Sequence, residues 1–160
     1  MYIQSYFFQM VFISMKLDNN NHSVFRLDYC LVMCTQDCCR VMDEDISDRL
    51  REIFMKISPS YNISLEKWAY DADHVCIFFR GQPNTEMSRF INAYKSAGSR
   101  LIRKEFPQVK KALPDGKFWS RSFCLLTAGS APSDIVDQYI RTQGREHGAQ
   151  GNQIQAVPNN

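Results

Sequence analysis

Apolar and polar positions along this chain switch between a two-residue and a three-to-four-residue period, and the switches divide it into elements. From Ser23 to Thr35 the run SVFRLDYCLVMCT mixes β-branched, aromatic and small apolar residues over a strand's length before the polar QDCCR, which predicts a first strand. Residues 43–57, DEDISDRLREIFMKI, open with acids suited to a helix N-terminus and space Ile46, Leu50, Ile53 and Ile57 as one helix face, with Pro59 as the stop. YNISLEKWAY (61–70) alternates Ile63, Leu65 and, after a slip in phase, Trp68. A short DAD joins it to the apolar run His74 to Arg80, and the two read as a hairpin. After GQPN comes a long amphipathic helix from Thr85 to about Glu105, with Phe90, Tyr94, Ala97 and Leu101 on one face and Arg89, Ser96, Arg100 and Arg103 on another; Pro107 ends it. A basic connector with Pro114 and Gly116 leads to FWSRSFCLLTA, read as a fourth strand, and GSAP introduces a last helix over about Ser133 to Gln143.

The order β-α-β-β-α-β plus a final helix is of the α+β class. It predicts a ferredoxin-like, RRM-like antiparallel sheet with both main helices on one face and an additional C-terminal helix that carries Tyr139. In that arrangement the first and third strands are central, so His74 falls on a middle strand. Residues 1–21 are expected to form a poorly ordered N-terminal extension, 22–147 one domain, and 148–160 a disordered polar tail.

Composition narrows this further. A chain of 160 residues with 44% hydrophobic and 12% aromatic content sustains one packed domain. A net charge of +2 gives no global attraction to nucleic acid, so a DNA partner has to be read from clustering. Between Thr85 and Arg121 nine lysines and arginines face three acids. Lys95, Arg100, Arg103 and Arg121 are the candidates for contact with a DNA backbone. The six cysteines show no paired metal-finger spacing, which fits reduced thiols. The apolar start MYIQSYFFQMVFISM lacks a basic leader and is too short to span a bilayer, so a cytoplasmic protein with no membrane partner is expected.

The chemistry gathers in two places. In DADHVCIFFRGQPN, His74 and Cys76 are two apart on a strand and point the same way. In DQYIRTQG, Tyr139 and Gln143 are four apart and share a helix face. The strand would supply metal ligands, Gln143 an oxygen ligand, and the Tyr139 phenol the nucleophile. Taken singly, each has a plainer reading: a satisfied strand histidine, a core tyrosine, and core aromatics at Trp68, Phe78, Phe79 and Trp119. Gly129, at the joint between the fourth strand and the tyrosine helix, could let that helix swing.

Together with INAYKSAGSRLIRKEFP, FWSRSFCLLTAGSAP and YIRTQ, the His74 strand resembles the single-tyrosine HUH transposases of the insertion-sequence 200/605 type, over roughly Ser23 to His147. The resemblance implies an enzyme that cuts and rejoins single-stranded DNA at the hairpin-bearing ends of a mobile element, through a 5′-phosphotyrosine intermediate. It matches His74 and Cys76 to the His-hydrophobic-His motif, Tyr139 to the nucleophile and Gln143 to the third metal ligand. It further implies a divalent cofactor, magnesium or manganese, and a homodimer in which the tyrosine helix is exchanged. The chain departs from the family pattern at Cys76, where the second histidine belongs, at Cys30, and at Gln36, Asp37, Cys38 and Cys39. A thiolate suits zinc better than magnesium, so zinc enters as a possible ion. The alternative reading is an impaired or repurposed descendant that binds hairpin DNA or RNA without cleavage. A zinc deaminase is set aside because Cys76 occupies the position of its glutamate.

Overall fold

The structure, a computed structural model, describes residues 17–20, 22–127 and 139–143. In chain order it comprises β1 (Asp18–Asn19), β2 (Val24–Phe25), β3 (Leu27–Cys34), α1 (Glu44–Ile57), β4 (Ser64–Asp71), β5 (His74–Gly81), α2 (Met87–Glu105), α3 (Pro107–Ala112) and β6 (Cys124–Thr127). Residues 139–143 are helical. The main sheet has the order β4-β5-β3-β6 with every pair antiparallel, which puts the strand of His74 in the middle as the element order requires.

The local chemistry explains most boundaries. Asp43 is the N-cap of α1: its Oδ1 accepts the Ile46 amide at 2.9 Å, satisfying one of the orphan donors of the first turn. The phase slip in YNISLEKWAY is a bulge between Leu65 and Lys67. Arg26 interrupts the expected first strand, so Val24–Phe25 pairs instead with Asp18–Asn19, inside the segment expected to be an extension. Arg80 holds that ribbon to the sheet through Asp18 at 3.3 Å and reaches Glu66 at 3.1 Å.

Three expectations change. The long helix begins at Met87, because the Thr85 hydroxyl is occupied in the preceding turn by the Gln82 amide at 3.0 Å and the Tyr61 carbonyl at 3.1 Å. Pro107 ends α2 and also starts α3, which the connector reading missed; proline is at home in a first turn, and Val109 and Leu113 anchor this short helix in the core. The expected strand FWSRSFCLLTA is broken. Trp119 bridges Thr35 and the Ser120 amide bonds the Cys34 carbonyl at 2.9 Å, but residues 121–123 leave the ladder before β6 resumes at Cys124.

The two faces of the sheet differ. Alternate residues Leu31, Met33, Val75, Ile77 and Phe79 meet Leu50, Ile53 and Phe54 of α1 and Phe90, Ile91 and Tyr94 of α2 in one core. Trp119 reaches the same core beneath α2. Gly98 makes room for it: a Cβ there would lie 3.2 Å from Leu50 and 3.3 Å from the indole nitrogen. The intervening residues Cys30, Val32, Cys76 and Phe78 form a second, smaller cluster on the opposite face.

Candidate active site

The second face gathers the chemistry. Antiparallel register places His74 opposite Cys34, and Cys76 between Val32 on β3 and Ala69 on β4. His74 is buried, and its Nδ1 lies 2.7 Å from Asp73 Oδ1, which orients the imidazole through one nitrogen. Tyr139 and Ile140 pack onto the apolar cluster that contains Cys76, together with Cys124 and Leu126 of β6. The phenol helix and the His-Cys strand therefore share one face of the sheet within a single chain.

The break in the last strand supplies the rest. Ser120 and Ser122 both donate to Gln143 Oε1 at 2.8 Å, and Ser122 Oγ lies 3.2 Å from the Tyr139 hydroxyl. From the helix side, Lys95 Nζ donates to the carbonyls of Ser120 at 2.9 Å and Arg121 at 2.8 Å, with that of Ser122 at 3.4 Å and the Phe123 ring 5.6 Å away. Carbonyls that left the ladder thus regain donors, which is how the chain tolerates the break. Burial lowers the Lys95 ammonium below its ordinary value.

Two thiols on this face, Cys30 and Cys34, are poor nucleophiles. Burial pushes Cys30 up to about 12, with Cys124 nearby adding to it. Burial likewise raises Cys34 to about 12, with Cys38, Asp73 and Cys124 contributing. None of the six cysteines is in a disulfide.

Beside this site an open groove of about 850 Å³ runs along α2 and the 116–121 segment. The basic residues predicted from sequence all line it, but they do not do the same work. Lys95 is committed to the backbone carbonyls, and Arg103 Nη1 donates to the Leu113 carbonyl. Arg100 and Arg121 are exposed, as are Lys104, Lys110 and Lys117, and no carboxylate is among the described lining residues. Gly129 lies outside the described residues, as do most of the expected last helix, the first sixteen residues and the tail from 144.

Sequence reasoning missed Ser120, Ser122 and Asp73. The first two were visible only as alternate serines in WSRSF, and the third as the acid directly before His74.

As arranged, these donors do not suit a magnesium or manganese ion. Such hard ions want several oxygen ligands, yet the strand offers an imidazole and a thiol, and the one amide oxygen has both lone pairs engaged by serines. No trio of His, Cys, Asp and Glu among the described residues is placed to hold a metal ion.

Comparison with known proteins gives consistent matches. A family model described as "Transposase IS200 like" matches residues 23–143. The ISDra2 transposase TnpA of Deinococcus radiodurans is 25% identical over 133 residues, 83% of this chain and 95% of that protein. A solved structure from Deinococcus radiodurans R1, assigned there to a transposase, superposes with a TM-score of 0.72 at 25% identity, covering 79% of this chain and 97% of the other. A REP-associated tyrosine transposase solved with a REP hairpin is alike in fold alone, at a TM-score of 0.50 and 10% identity over 82% of this chain and 74% of the other.

Proposed function

The chain belongs to the IS200-like transposase family, and from that premise we propose that it cuts and rejoins single-stranded DNA at hairpin-bearing element ends with Tyr139 as the nucleophile. The observation that carries this reading is the packing of Tyr139 against the Cys76 cluster on the face of the central strand that also bears His74. A phenol there meets a phosphodiester held at the neighbouring basic groove.

The reaction balances without an external energy source. The Tyr139 oxygen forms a bond to phosphorus as the phosphorus–3′-oxygen bond breaks, the 5′ side stays attached, and the phenolic proton ends on the released 3′ hydroxyl. Attack by a 3′ hydroxyl on the phosphotyrosine reverses each change and rejoins the strand. The chain's own part is to hold and orient. Arg100 and Arg121 neutralise backbone phosphates at the groove, because a bare phosphodiester repels an oxygen nucleophile. Asp73 fixes the His74 imidazole with its other nitrogen turned from the carboxylate, where it could orient a phosphate oxygen or a proton. His74, Cys76 and Gln143 would be the residues to hold a divalent ion only after the serines release Gln143, and the imidazole–thiol pair then favours zinc over magnesium. The same seat would accept a tyrosine helix from a second copy, as in the homodimer that the family resemblance implies. Among the described residues no helix is long and apolar enough to cross a membrane.

The test is a covalent adduct. Full-length protein incubated with a 3′-labelled single strand carrying a hairpin is expected to yield a denaturant-stable protein–DNA band that Tyr139→Phe abolishes, because the 5′-phosphotyrosine holds the fragment on the 3′ side of the cut. Hairpin binding with no adduct from the wild-type chain would replace this reading with the non-cleaving one, which the thiol at Cys76 and the engaged amide of Gln143 favour.

A further inference from the structure

Residues 120–122, where the last strand leaves the sheet, sit between two bodies. On one side Lys95 of α2 holds their carbonyls, with its two short bonds at 2.9 and 2.8 Å. On the other, their hydroxyls meet the tyrosine helix. A serine hydroxyl has one proton, and Ser122 gives it to Gln143 Oε1 at 2.8 Å, so its oxygen is left to accept from the Tyr139 hydroxyl at 3.2 Å. The proton order is thereby fixed: phenol to Ser122, Ser122 to Gln143. Ser120 takes the second lone pair of the same amide oxygen at 2.8 Å.

Two anchors one helical turn apart stop a short helix from turning about its axis. Apolar packing of Tyr139 and Ile140 on Cys76, Cys124 and Leu126 sets the depth of that helix but, being non-directional, not its rotation. We propose that Ser122, seated by Lys95 and supported by Ser120, is a positioning residue for Tyr139, which fixes where the phenolic oxygen stands and which way its proton points when a strand of DNA enters. Nothing in the family match assigns this contact. The proposal rests on the reading of Tyr139 as the nucleophile. Ser122 cannot act as a base, since a hydroxyl already donating to an amide has no tendency to keep a second proton. Its contribution is orientation, which small displacements of a nucleophile erase.

The experiment uses the full chain with 3-fluorotyrosine at position 139. The fluorine resonance of the DNA-free protein is expected to shift and broaden in Ser122→Ala and to stay near the wild-type position in Ser122→Thr, which keeps the hydroxyl. In single-turnover adduct formation Ser122→Ala is expected to lower the rate at saturating DNA by about threefold to tenfold, the span of one lost hydrogen bond, with half-saturation unchanged within about twofold. Ser122→Thr is expected to recover most of that loss. Ser122 is exposed, so the substitution leaves the fold intact. A fluorine signal indifferent to Ser122→Ala, or an adduct formed at the wild-type rate by that variant, overturns the positioning role alone. A wild-type chain that forms no adduct with the hairpin strand, while the fluorine signal still responds to Ser122→Ala, shows instead that the nucleophile reading has failed and takes the proposal with it.

Discussion

Lys95 stands on the sequence as one more cation of a basic helix, and the structure gives it a different occupation. Replacing it with methionine keeps an unbranched apolar side chain of similar reach and removes the ammonium, which lies 5.6 Å from the Phe123 ring. Two short charged bonds to the carbonyls of Ser120 and Arg121 are lost, with a weaker one to Ser122. Charged hydrogen bonds contribute about 1.5–3 kcal/mol each in favourable cases. Two effects reduce that here: Lys95 is itself partly desolvated, and the Arg121 and Ser122 carbonyls belong to exposed residues that water can reach. The net loss is expected to be about 2 kcal/mol, which for a domain of this size lowers the melting temperature by about 4–8 °C. Urea unfolding and calorimetry of Lys95→Met read this directly. The salt dependence of hairpin binding reads the alternative, because a lysine bound to a phosphate would reduce the slope of log K against log salt by about 0.7 for a single strand or 0.9 for duplex. A variant as stable as the wild type with a flattened salt slope would refute the clamp and return Lys95 to the DNA.

Arg100→Ala and Arg121→Ala are expected to do the opposite: each should flatten the salt slope by about 0.7–0.9 in binding titrations at several salt concentrations and leave the unfolding free energy from urea titration within about 0.5 kcal/mol. Alkali should destabilise the fold through its buried thiols. Cys30 and Cys34 are held protonated to about 12, whereas an unfolded thiol ionises near 9.0, so as pH rises the unfolded chain loses protons first. Their contribution is complete below about pH 9 and falls away between there and about 12; the urea midpoint of Cys30→Ala should therefore decline less steeply over that window than that of the wild type.

How much was legible in the sequence can be traced residue by residue. Period and punctuation carried α1, the bulged hairpin and the central place of His74, because an apolar face at a fixed period has to be buried and a ferredoxin-like order leaves one way to bury it. The spacing of His74 and Cys76 likewise decided that they share a face, since side chains alternate along any strand. The short helix beyond Pro107 was not legible, because Val109 and Leu113 make a single apolar pair in a basic stretch, too little to establish a period.

Nor was the fate of the basic helix. Charge alone does not distinguish Lys95, whose ammonium finds carbonyls across the fold, from Arg100, which finds solvent. The serines of WSRSF show why. Their hydroxyls matter only because the helix of Gln143 returns to meet the broken strand, in contacts of sequence separation 23 and 21 that no local pattern encodes. The sequence by itself therefore determined which residue types are available for the proposed chemistry, that His74 and Cys76 share a face of the sheet, and that Tyr139 and Gln143 share a face of a helix. Only the tertiary structure decided what those residues touch, because hydrogen-bond partners are set by distances of a few ångströms between segments that local propensities leave free of one another.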